Sequence, residues 1–261
     1  MMFFRITTET KRLCHLRRAA MLLFLTSLFV SAAQAQLHDG ALAIKTNGNL
    51  FRSGGAVRVE LIALERVYEP FSVEVSYHWR ETVKERDEEG KVTQKEEERV
   101  LRRERSPAIE SMSESQLLVL DDEFHFGEAS FPGRYSVEVA IFRSDTKEPV
   151  TKLRTCVYFK EYGGDGGCAT ELRSLKRVAS EQSLVLAGTF SGRARYTAVL
   201  LDGNRIITKI TNAVFASAAN ELTINSDAIK SVVNRKFDLL IHDRDSNHSS
   251  TISGVTPVLP Y

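Results

Sequence analysis

The run "DRDSNH", Asp243 to His248, is the one place in this sequence where carboxylates, an amide and an imidazole fall at metal-ligand spacing. Asp243, Asp245 and Asn247 stand where the first three ligands of a calcium loop would stand. The sixth position, which must turn sharply on glycine, holds His248, and the twelfth holds Gly254 instead of a bidentate glutamate. A polar hairpin turn between two strands accounts for the same residues, so no metal is assigned. His38, His78 and His125 are scattered, and the chain contains no HExxH, His-x-His, CxxC or Gly-x-Ser-x-Gly. Neither a zinc centre nor a serine nucleophile can be placed from spacing, and the expectation is a chain without catalysis and without a cofactor.

The glycines of "EYGGDGGCATE" raise a second chemistry, a loop that cradles phosphate. No Lys-Ser or Lys-Thr follows them and no helix clearly opens after them, so they read as a linker at 163–168. Cys156 and Cys168 flank this run and are the two cysteines that follow Cys14. In an exported chain such a pair closing a short loop is expected to form a disulfide.

The densest charge lies in "ERDEEGKVTQKEEERVLRRER", Glu85 to Arg105. Its two signs nearly balance, as they do over the whole chain, whose formal net charge is +1. That excludes a nucleic-acid patch, which needs an excess of Lys and Arg. A helix held by pairs such as Glu98–Arg102 is one way to fold it. A β-hairpin turning at "DEEGK" is favoured, because Thr82, Val83, Val92 and Thr93 flank the turn and are good strand formers. Two uses follow. Its charges could keep a sheet edge from aggregating, or Arg80, Lys84, Arg86, Glu96, Glu97, Glu98, Arg99, Arg102 and Arg103 could form an interaction arm for a charged partner.

The elements that must hold these residues are strands. "VRVEL" and "YSVEVAIF" alternate apolar with polar side chains, and "ALAIKT", "SVEVSYHW", "QLLVL" and "TKLRTCVYF" read alike. In "VRVEL" the pattern directs Val57, Val59 and Leu61 to a core and Arg58 and Glu60 to the other face. "FPGRY" places Pro132 and Gly133 before Tyr135, as in the tyrosine corner of immunoglobulin-like sandwiches, and Trp79 ends the strand where such folds often bury a tryptophan. Phe124, Phe126 and Tyr135 suit a core more often than a sugar-stacking surface. After the glycines come "SLVLAGTF", a hairpin at Asp202-Gly203, "NELTIN", "KFDLLIHD" and "STISGVTPV", with "SDAIKSVV" alone showing helical character.

Residues 1–35 differ from all of this. Lys11, Arg12, Arg17 and Arg18 precede the apolar run "AAMLLFLTSLFVSAA", and Ala33–Ala35 supply small residues for cleavage before Gln36. A cleaved signal peptide is expected, with export to the periplasm or exterior and no membrane span afterwards. The remaining chain, about 226 residues, suggests two domains. The expected organisation is all-β, with two tandem immunoglobulin-like β-sandwich domains. They are placed at 36–162, with a charged hairpin insertion at 80–105, and at 169–261.

"LVLAGTF", "VLLDGNRII", "ELTIN" and "FDLLIHDRDSNHSSTISGV" resemble the IPT/TIG immunoglobulin-like family over about 80 residues, although "ASEQ" stands where its usual proline falls. The resemblance implies a tandem module of bacterial surface or secreted proteins and no catalysis. "LFRSGGAVRVELIALE" and "FGEASFPGRYSVEV" are also similar to macroglobulin-type domains, without that family's thioester or bait region. The expected function is a non-catalytic binding or structural module of the bacterial envelope or exterior, with a protein or glycan partner and no nucleic acid. The alternatives are a small secreted hydrolase or its accessory domain, and a macroglobulin-like inhibitor domain.

Overall fold

The structure is a computed structural model that describes residues 40–86, 92–127, 130–144, 146–160 and 168–258. The expected signal peptide at 1–35, the hairpin turn Asp87–Lys91 and the glycines of the linker lie outside the described residues. The protein is all-β. Residues 40–160 supply β1 (Leu42–Thr46), β2 (Leu50–Phe51), β3 (Ala56–Ala63), β4 (Phe71–Arg86), β5 (Val92–Arg105), β6 (Leu117–His125), β7 (Gly133–Arg143) and β8 (Thr151–Phe159). Residues 168–258 supply β9 (Glu171–Ser180), β10 (Ser183–Thr189), β11 (Tyr196–Asp202), β12 (Arg205–Ile210), β13 (Val214–Ala218), β14 (Glu221–Asn225), β15 (Phe237–Asp243) and β16 (His248–Val255).

The strand order in both halves is immunoglobulin-like. In the first, β1-β3-β6 faces β8-β7-β4-β5, with β2 running parallel to the end of β8. In the second, β9-β10-β14-β13 faces β12-β11-β15-β16. Period-two alternation fills the first core: Val73, Val75, Tyr77 and Trp79 of β4 meet Tyr135, Val137, Val139 and Ile141 of β7. Each such side chain contributes roughly 1.5–3 kcal/mol when fully buried, against about 0–1 kcal/mol for an exposed ion pair, so alternation and not charge sets the sandwich. The Tyr135 hydroxyl donates to the Phe131 carbonyl at 2.7 Å, which completes the tyrosine corner. A second core gathers Leu184, Leu186, Leu200, Leu239 and Ile241. "SDAIKSVV" gives a single 3-10 turn, Asp227–Ser231, capped by the Ser226 hydroxyl accepting from the Ala228 amide.

The two sandwiches are joined side by side. β16 runs parallel to β8, pairing His248 with Arg154 and Ser249 with Thr155, so one sheet of nine strands crosses both halves. Ala43, Ile62 and Leu64 of the first half pack against Val199, Leu201 and Leu240 of the second. This corrects the reading of "VRVEL" as a strand with one wet face. Glu60 is 2% exposed, because the second sandwich covers the outer side of β1 and β3. Its carboxylate is kept there by Lys45 at 2.9 Å and Arg58 at 2.9 Å. A charge taken out of water needs such partners, since burial alone strongly disfavours the ionised form.

Candidate functional site

The charged stretch is a β-hairpin rather than a helix. Pairing of β4 with β7 ends at Trp79 opposite Tyr135, whereas pairing of β4 with β5 continues from Arg80 opposite Glu98 to Arg86 opposite Val92. Beyond Trp79 the sheet therefore narrows to a ribbon of two strands, roughly 20 Å long at ~3.3 Å per residue. Arg80, Lys84, Arg86, Glu96, Glu97 and Glu98 belong to this ribbon. Trp79 closes its base, stacking on Phe131 at 4.6 Å with the Arg99 guanidinium 6.0 Å from its ring centre.

Arg102 and Arg103 do not extend with the arm. The register places them opposite Tyr77 and Ser76, inside the part of the sheet that β7 also supports. Arg102 turns to the interior side, where it lies 3.6 Å from the buried carboxylate of Asp121. The Tyr77 hydroxyl donates to that same carboxylate at 2.7 Å. Burial and the neighbouring anion both raise the pKa of the Tyr77 hydroxyl, so it stays a donor. Arg102 thus balances a buried anion. Of the expected insertion 80–105, the described segments 80–86 and 92–98 extend beyond the third strand, and 99–105 is an integral edge of the sandwich sheet.

Arg103 turns to the opposite, outward face and helps line a cavity of about 320 Å³ there. The floor is built from alternate residues of five strands. β4 provides His78 and Arg80, β5 provides Glu98 and Arg103, and β7 provides Arg134, Ser136 and Glu138. Lys152 and Arg154 come from β8, and His248 comes from β16. Five cations therefore surround two carboxylates. Lys152 and Arg154 hold Glu138 at 2.8 and 3.0 Å. Burial works to raise the pKa of the Glu138 carboxyl, but these two hydrogen-bonded cations together hold it below the usual range. His78 bonds Ser76 at 2.7 Å and lies 3.2 Å from Glu98. Burial, reinforced by Arg154, pushes the imidazole of His248 down to about 4, so it is neutral near pH 7. Its Nδ1 is buried and has no hydrogen-bond partner.

Other candidates from the sequence resolve differently. Asp243 accepts from the amides of Asp245 and Ser246, and Asp245 is held by Arg195 at 2.6 Å, so both carboxylates of "DRDSNH" are engaged in a hairpin turn. Among the described residues no group of three or more metal-ligating side chains converges. Cys156 and Cys168 are joined as a disulfide, with Tyr158 packed beside Cys168. Phe126 and Tyr135 are buried, and Phe124 stacks on Tyr77 at 3.9 Å, so these aromatic rings form core and not a sugar platform. Among the described residues no helix is long and apolar enough to cross a membrane. Sequence reasoning missed the cavity itself. The outward positions Ser136, Glu138, Lys152 and Arg154 carried a weak signal, being polar residues at period two on two successive strands.

No protein-family model matches the chain, and no curated protein matches it. Solved structures overlap it loosely. An α2-macroglobulin of Salmonella reacted with methylamine covers 84% of this chain at 13% identity and a TM-score of 0.28, and the chain spans 15% of that protein's length. Spo0M, a sporulation control protein of Bacillus subtilis, covers 81% at 8% identity and a TM-score of 0.30, with 83% of its own length matched. The SafA pilin of Salmonella enterica in complex with the SafB chaperone covers 84% at 9% identity and a TM-score of 0.25, with 98% of that chain matched. These scores are too low to carry an argument, and the immunoglobulin-like fold rests on the strand order.

Proposed function

We propose that this chain is a non-catalytic binding module of the bacterial envelope or exterior that engages a protein or glycan partner through the β4–β5 ribbon. One observation carries the reading: the ribbon leaves the sandwich as two strands, from Arg80 opposite Glu98 to Arg86 opposite Val92. A two-stranded hairpin is marginal by itself in water. Exposed ion pairs add at most about 1 kcal/mol each, so internal charge pairing does not explain its length. A segment whose sequence carries both signs along one arm suits an encounter with a complementary charged partner. The resemblance of the second half to IPT/TIG modules, the export signal read in the sequence and the Cys156–Cys168 disulfide support the same setting.

The test replaces Glu81–Glu97 with a two-residue Asn-Gly turn that joins Arg80 to Glu98. Both proteins are used to capture partners from envelope extract at low and high salt. The reading expects an unchanged melting temperature within a few degrees, and capture by the full chain that weakens with salt and disappears in the shortened protein. A folded, shortened protein that captures the same partner equally well would overturn it.

A further inference from the structure

We propose that two copies of this chain pair through the outer edges of their β5 strands, antiparallel and related by a two-fold axis at Arg99. The pairing rests on the free edge of β5 and not on the ribbon capturing an envelope partner.

β5 is an open edge. Among the described residues it is the last strand of the nine-stranded sheet and is bonded to β4 on one side only. Such an edge offers a row of amide and carbonyl groups to any strand that can lie beside it. Val100 and Leu101, beside the axis, are 49% and 47% exposed. Pairing about Arg99 covers this stretch. It also lays each ribbon along the sandwich edge of the second copy, which supports a two-stranded element that is marginal in water by itself.

The faces of the strand decide which residues can come opposite one another. A two-fold axis perpendicular to a sheet keeps every side chain on its own face, so cross-strand neighbours must come from one face of β5. In a regular strand such residues are an even number of positions apart. Glu97 and Arg102, Glu96 and Arg103, and Lys95 and Glu104 are odd distances apart. The extra residue at Leu101 corrects this. Along β4 these pairs lie opposite Glu81 and Tyr77, Thr82 and Ser76, and Val83 and Val75, which are even distances apart, so the members of each pair share a face.

The signs then select the register. With Arg99 on the axis, Glu97 falls opposite Arg102 of the second copy, Glu96 opposite Arg103, and Lys95 opposite Glu104, each twice by symmetry. Opposite charges directly across an antiparallel pair are favourable, and like charges are unfavourable. Arg99 meets its own counterpart, but its guanidinium lies over its own sheet, 6.0 Å from the ring centre of Trp79. A shift of two residues one way sets Arg99 opposite Arg102 and Glu97 opposite Glu104. The same shift the other way sets Lys95 opposite Arg102 and Glu98 opposite itself. An edge charged only to prevent aggregation needs no such order. Arg102 and Arg103 already lie 3.6 Å from Asp121 and 3.2 Å from Glu74 in their own chain. The signs therefore fix register, and the backbone ladder with the covered edge holds the copies together.

The experiment is sedimentation equilibrium of the purified exported protein, with no other protein present, from low micromolar to near-millimolar concentration. The mass should rise toward twice that of one chain, and high salt should weaken the association. Glu96→Arg and Arg103→Glu each set like charges across both symmetric positions. Each variant should self-associate about tenfold more weakly, with a melting temperature within a few degrees of the parent. Mixed in equal amounts, the two variants regain opposite signs at both positions and should pair as tightly as the parent. A parent protein that stays a single chain at every concentration overturns the proposal, even if it captures other proteins from envelope extract. Single variants that associate as tightly as the parent overturn it as well, because the contact then lies elsewhere. So does a mixture that pairs no better than its components.

Discussion

His248 lies opposite Arg154 in the parallel pairing of β16 with β8, and this register makes the sheet of the second sandwich continuous with that of the first. The same edge of β8 carries β2 further along, at Leu50 opposite Tyr158, so its free hydrogen-bonding groups are covered from both halves of the chain. The pairing also brings His248 to the outward cavity. Joining the sandwiches and completing the cavity are therefore consequences of one contact.

A shared sheet and a shared apolar cluster predict cooperative unfolding. Ile62→Ala removes a fully buried side chain from the cluster that Val199, Leu201 and Leu240 complete across the junction. It should cost about 2–4 kcal/mol. Hydrogen exchange should report weakened protection in β4 and β11 together. Two separated melting transitions, with only the first displaced, would show that the halves unfold independently.

Acid should destabilise the protein before its carboxylates titrate. His242 is fully buried, its Nδ1 lies 3.0 Å from the Ser249 hydroxyl and its Nε2 has no partner. Burial is the main cause that pushes its pKa from 6.5 down to about 4, against a smaller raising effect of Asp243; Arg244 and His248 lower it further. In the unfolded chain the imidazole takes up a proton near pH 6.5, while in the folded chain it resists until about 4. The contribution is thus complete above pH 6.5 and is lost as pH falls toward 4, at up to about 3 kcal/mol for this site. Melting curves from pH 7 to pH 4 should show this decline, and His242→Asn should make it shallower, leaving the share that His248 contributes over the same range. An identical pH slope in the variant would refute the assignment.

The disulfide fastens β8, through Cys156, to Cys168 in the segment that enters β9. Unreduced, denatured protein should present neither Cys156 nor Cys168 to a thiol reagent. The variant with both replaced by serine should lose up to about 3 kcal/mol, the loop-closure contribution of so short a crosslink. Labelling of both thiols before reduction is the contrary result.

Much of this architecture was legible locally. Alternation in "YSVEVAIF", the Asp202-Gly203 turn, the Pro132-Gly133-Tyr135 corner and the isolated cysteine pair each act through neighbours in sequence, so residue order alone determined them. β13 was missed because "VFASA" is short and carries Phe215 toward solvent, so it lacks a clear alternating pattern. Tertiary structure decided the rest. A shift of register at Tyr77 and His78 leaves Leu101 unpaired, and it fixes which of the consecutive arginines Arg102 and Arg103 faces the interior and which faces the cavity. Glu60 looked like a solvated position and became a buried anion, because a second sandwich covers its strand. The cavity depends on five strands held in one register, with β16 arriving from the other half of the chain. Period two tells each strand which residues share a face, but which strand lies beside it is fixed only when distant segments pair and bury their surfaces together.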